Sequence, residues 1–183
     1  MRKILAGVGL LLALIIPAAA LANPARDNKN GPHKDYISGS ANVPLPTPLG
    51  TFPAVVANNG TTEPNGHSGD DATGTWSTDF PSSPLGPVHI GGIIVCINAT
   101  RGVENAADWR GVITETNVPA FATIGAGVLS RNVDNGSGPP DDPPDRTVGF
   151  VTPPPGPNPV CPNTFITTNP ITSGDLVVHD GGF

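Results

Sequence analysis

Glycine and proline set the terms on which this chain can fold: 23 of each occur among its 183 residues. Average usage of the two sums to about 12%, so the chain carries roughly twice the usual share. Neither residue is tolerated inside a long helix, glycine for its backbone entropy and proline for its missing N–H and its clash with the preceding turn. Charged residues are only 13% of the chain, too few to coat the outer faces of a helical bundle. Such a composition can also signal disorder, but 37% hydrophobic content, gathered in β-branched runs, argues against it. The expectation is an all-β domain, a two-sheet sandwich or flattened barrel of about seven or eight short antiparallel strands.

Residues 1–22 read as an export signal. Arg2 and Lys3 precede an apolar run from Ile4 to Ile16, and Pro17 breaks it. Ala20-Leu21-Ala22 then supplies the small residues that signal peptidase requires before Asn23. The apolar run is shorter than the roughly 20 residues that span a bilayer. Removing Arg2 and Lys3 from 9 basic residues leaves 7 against 15 acidic ones, a net charge near −8. A surface of that sign repels nucleic-acid phosphates and anionic membranes, so the partner expected is an extracellular or cell-envelope ligand. Residues 23–53 read as a flexible, Pro-rich arm, because Pro44, Pro46, Pro48 and Pro53 favour an extended polyproline-like path. Residues 54–183 then form a single β domain.

Cys96 and Cys161 are the only cysteines, and in an exported chain an even number implies a disulfide. Closing a loop of about 66 residues is worth about 4 kcal/mol in the chain-entropy account. The strongest strand is Val88–Asn98, which is apolar on both faces and is therefore expected at the centre of the sheet. Strict alternation places Ile93, Val95 and Ile97 on one face, and Ile94 and Cys96 on the other. Residues 106–116 follow closely and are expected to form an antiparallel hairpin with it. Four Asn-Gly pairs, among them Asn59-Gly60 and Asn135-Gly136, suit turns that need φ > 0.

The order of several landmarks carries a resemblance. Gly92-Ile-Ile-Val-Cys96-Ile is followed by Asn105-Ala-Ala and Arg110-Gly-Val-Ile-Thr114, then by Val133-Asp-Asn-Gly136, Asp142-Pro-Pro-Asp145, Cys161 and Gly174-Asp-Leu-Val-Val178. This arrangement, over residues 72–180, resembles a group of small exported bacterial all-β domains of unknown function. The resemblance implies an extracellular β domain and brings no activity with it.

Candidate chemistry is sparse. Asp134, Asn135, Asp141, Asp142 and Asp145 offer hard oxygen donors of the kind Ca²⁺ takes, so a structural calcium ion is one expectation for this loop. The other is a turn whose carboxylates cap backbone N–H groups. Trp76 and Trp109 sit in strand patterns and serve either as a binding platform or as core anchors. His89 and His179 lie in strands and would meet if those strands paired, with Asp180 beside them. Gly66-His67-Ser68-Gly69-Asp70 lacks the second glycine and the strand–turn–helix setting of a nucleophile elbow. No catalytic residues are nominated. The function expected is a secreted, non-enzymatic structural, envelope or ligand-binding module, with a hydrolase using carboxylates around Asp134–Asp145 as the alternative.

Overall fold

The computed structural model describes residues 34–62, 72–100, 105–136, 143–156, 161 and 167–181. Among them the protein is all-β, and no helix is long and apolar enough to cross a membrane. The expected signal peptide, Asp141, Asp142 and the segment around Ser68 lie outside the described residues.

Nine strands form one antiparallel sheet in the order β8-β7-β6-β5-β4-β3-β2-β1-β9. The first five are β1 (Tyr36–Thr47), β2 (Gly50–Thr62), β3 (Ala72–Ser83), β4 (Gly86–Thr100) and β5 (Asn105–Thr116). They are followed by β6 (Gly127–Asp134), β7 (Arg146–Thr152), the two-residue β8 (Asn169–Pro170) and β9 (Ser173–His179). One sheet curled into a half-barrel therefore replaces the stacked pair of a sandwich. The core lies inside the curl. One cluster joins Ile37, Trp76, Ile94, Ile97, Trp109 and Ile113, and a second joins Val43, Leu45, Val56, Phe80 and Val88, with Ile90 touching both.

The sheet begins at Tyr36 rather than at residue 54. Residues 36–53, the larger part of the expected arm, are built into β1 and β2, which also raises the strand count to nine. The prolines fit because the ladders stop where they begin. Pairing of β1 with β9 ends at Asn42, and pairing of β2 with β3 begins at Val55. Pro44 and Pro53, opposite each other, and Pro46 lie on stretches paired on one side only, where a missing donor breaks no ladder bond.

β4 occupies the middle of the order and pairs antiparallel with β5, as its two apolar faces required. The facing of its second half differs from strict alternation. A register shift between Ile94 and Cys96 leaves Val95 without an opposite residue, and this bulge turns every later side chain to the other face. Ile94 and Ile97 therefore both enter the core, while Cys96 turns away from it and bonds to Cys161 with Cα atoms 5.5 Å apart. Close by, Asp108 and Arg131, opposite each other on β5 and β6, form a buried ion pair at 3.0 Å. Asn59-Gly60 is no turn but part of β2: a Cβ on Gly60 would stand 2.8 Å from Ile94 Cδ1. Gly136, at φ 83°, does turn.

The curl brings the outer edge of β9 against the start of β7 and the end of β6, and side chains close that seam. Asp145 Oδ2 accepts from Leu176 N–H and Asp134 Oδ2 from Val178 N–H, while Asn105 Nδ2 donates to the Val178 carbonyl. The second oxygens hold the chain between β6 and β7, Asp145 Oδ1 accepting from Asn135 N–H and Asp134 Oδ1 from Gly136 N–H. Two aspartates thus stand in for a neighbouring strand, satisfying edge donors that would otherwise be costly to bury.

Candidate functional site

Closure is complete at one end of the seam and absent at the other. β9 covers β1 only over Tyr36–Asn42, and β8 covers β7 only at Arg146 and Thr147. The second halves of β1 and β7 therefore border a gap that opens into the curl. A cavity of about 390 Å³ lies there, lined among others by Leu45, Phe52, Phe80, Val128 and Val148. That volume falls in the range of small-molecule sites. No Asp, Glu, Lys, Arg or His among the described residues lines it.

The rim is built by hairpin ends. Thr47-Pro48-Leu49-Gly50 joins β1 to β2, and Ser83-Pro84-Leu85-Gly86 joins β3 to β4. The two turns are constructed alike. In each, the first hydroxyl accepts from the leucine N–H (3.1 Å in both) and donates to the glycine carbonyl, at 2.8 and 2.6 Å. Proline presets the turn and Gly50 and Gly86 take positive φ, so each leucine is held outward on a braced tip. Leu49 is 51% and Leu85 48% exposed, and Phe121, at 57%, joins them from the β5–β6 connection. Phe150 and Val151 complete the rim from β7. A contiguous set of exposed large apolar side chains of this kind marks an interaction site. The sequence reading missed these positions, although the twin Thr/Ser-Pro-Leu-Gly tetrapeptides are visible in it.

Trp76 and Trp109 line the deep end, buried, with ring centroids 6.0 Å apart and a tilt of 44°. They belong to the core and to the cavity wall at once. The Trp76 indole needs Gly111 beneath it, since a Cβ there would come within 2.4 Å of Nε1. Asn58 Oδ1 and both indole Nε1 atoms are buried without a hydrogen-bond partner among the described residues.

The other candidates lie elsewhere. Asp134 and Asp145 spend both oxygens on backbone N–H groups, and Asn135 Nδ2 donates to the Pro144 carbonyl at 2.7 Å. No group of three metal-ligating side chains occurs among the described residues. His89 and His179 do not meet, because three strands separate β4 from β9 in the sheet order. His179 stacks on Tyr36 with centroids 4.8 Å apart. His89 Nδ1 lies 2.7 Å from Asp79 Oδ1, and its Nε2 lies 3.5 Å from Glu115 Oε1. The hydrogen bond to Asp79 raises the His89 pKa above its ordinary value; burial opposes it as the next largest effect, and the charge of Asp79 and the hydrogen bond and charge of Glu115 add to the rise.

A raised folded-state pKa means that the protonated form is the one held in the fold. The contribution of His89 is full below the ordinary histidine value of about 6.5 and is lost as pH rises through the folded value. Because the cluster is exposed, its worth is below about 1 kcal/mol. His89→Gln is therefore expected to lower the melting temperature slightly at pH 5.5 and not at pH 9. An equal loss at both would deny the ion pairs this role.

Fold and cavity together define a curled antiparallel sheet with an open apolar pocket. No family model, curated protein or solved structure matches the chain.

Proposed function

We propose that the chain is an exported, non-enzymatic ligand-binding β module, and that its ligand occupies the cavity at the open end of the sheet. The observation that carries this reading is the combination of an uncharged cavity of about 390 Å³ with a rim of exposed leucine and phenylalanine on braced turns. Exposing such side chains forgoes about 1.5–3 kcal/mol of burial for each, a cost that binding recovers. The leader sequence and the disulfide support export. The hydrolase alternative gains nothing from Asp134 and Asp145, whose oxygens already serve the seam.

The test is a titration with N-phenyl-1-naphthylamine, an uncharged probe that brightens in apolar surroundings. Saturable binding is expected, weakened roughly tenfold in Leu85→Ser/Phe121→Ser, since about 1.4 kcal/mol is a factor of ten. Emission that rises without saturating, or is indifferent to both substitutions, would defeat the proposal.

A further inference from the structure

We infer that the occupant of this cavity is an uncharged, hydrocarbon-rich small molecule carrying at most a hydroxyl or carbonyl group, and neither a carboxylate amphiphile nor a polypeptide strand. The inference rests on the cavity being the binding site and adds the chemistry that it selects.

The wall excludes ions. Among the described residues it holds no cationic side chain to pair a carboxylate or phosphate, and no anionic one to pair an amine. An ion entering an apolar site without a partner bears a desolvation cost of several kcal/mol. Four of the six hydroxyls that the described residues bring to the wall are already engaged. Thr47 and Ser83 donate within their turns, Ser130 donates to the Val148 carbonyl, and Thr147 Oγ1 donates to Asn132 Oδ1 at 2.9 Å. The polar groups left over are neutral: the Ser77 and Thr78 hydroxyls, which suit a hydroxyl or carbonyl rather than a charge, and the Asn58 amide oxygen and two indole N–H groups buried within the wall.

The gap itself argues against a strand. The Asn42 carbonyl accepts from Thr172 N–H, on the side of β1 away from β2. Backbone groups alternate along a strand, so Pro44 and Pro46 turn the same way as Asn42, toward the gap, where neither has an N–H to give. On the opposite border, the Asp145 carbonyl accepts from Ile171 N–H, and by the same alternation Gly149 and Val151 face the gap. An added strand would find donors on β7 alone. A pair of prolines is a known protection of sheet edges against such pairing. A hydrocarbon needs no backbone partners and loses nothing there.

The experiment displaces N-phenyl-1-naphthylamine from the oxidised protein at pH 8 with 1-decanol, with decanoate, or with an extended Val/Thr peptide. Amide exchange at Gly149 and Val151 is followed alongside. Decanol is expected to displace the probe at a concentration at least about tenfold below decanoate. The peptide is expected to fail, and exchange at the two amides to stay fast with decanol bound. Leu49→Ser/Leu85→Ser is expected to raise the decanol requirement without moving the melting temperature, because both leucines are exposed in the free protein. Decanoate equal to or better than decanol would overturn the inference. So would a peptide that displaces the probe and slows exchange at Gly149 and Val151. A probe that never binds would instead remove the cavity as the site, which is a separate failure.

Discussion

Opening the Cys96–Cys161 bridge, by reduction or by Cys96→Ala/Cys161→Ala, is expected to lower the unfolding free energy by about 4 kcal/mol. The bond spans 65 positions and encloses β5, β6 and β7. Freed of it, the unfolded chain regains the loop entropy of a third of the protein. The folded state loses more than a tether, because Cys161 Sγ lies 3.9 Å from the Asp108 carbonyl, beside the buried pair with Arg131. Loosening that cover admits water to an ion pair whose worth depends on its surroundings. Urea unfolding of the oxidised and double-alanine proteins measures the difference. A loss under about 1 kcal/mol would mean that the unfolded chain keeps these segments together without the bond.

Asp145→Ala is expected to cost about 3–5 kcal/mol. The carboxylate is buried and accepts two backbone hydrogen bonds, from Asn135 and Leu176, each at 2.9 Å. Hydrogen bonds to a charged group are worth about 1.5–3 kcal/mol, and a buried donor left without its acceptor loses at least as much. Leu176 is fully buried inside the sheet, so water does not replace the lost acceptor without opening the seam. Asp145→Asn keeps one acceptor oxygen and is expected to recover about half of the loss. Urea unfolding again reads the effect. An alanine variant as stable as the parent would show that β9 holds its place without the carboxylate.

These two sites show where the sequence was legible. β4 and β5 stood out because a run such as Ile93–Ile97, apolar on both faces, has few homes other than a central strand, and the cysteine count announced the bridge. The strand carrying Cys96 was still placed with the wrong alternation, since a bulge at Val95 depends on the register of its neighbour. β1 and β2 were obscured by their prolines. Whether Pro44 breaks a ladder depends on where pairing with β9 ends, and β9 lies about 130 residues further along the chain.

The acid loop was legible in its local bonds, since Asp134 and Asp145 cap the nearby N–H groups of Gly136 and Asn135, but not in its distant ones. Asp134 and Asp145 are hydrogen-bond acceptors, as either expectation required. Their partners Val178 and Leu176, however, lie 44 and 31 positions away, beyond any local pattern. The cavity was illegible for a related reason: it is what the sheet leaves uncovered, and no residue spells a gap. Its rim alone had a signature, the paired Thr/Ser-Pro-Leu-Gly turns.

The chain holds only two tryptophans, and both line the cavity. Their fluorescence therefore reports occupancy with no added label. Titration with 11-bromo-1-undecanol, whose bromine quenches indoles at contact, is the most direct test of the cavity as the ligand site. Saturable quenching is predicted, lost when Leu49→Ser/Leu85→Ser strips the rim. Quenching that stays linear in concentration and unchanged by those substitutions would show that the alcohol meets the indoles only by collision, and would contradict the account.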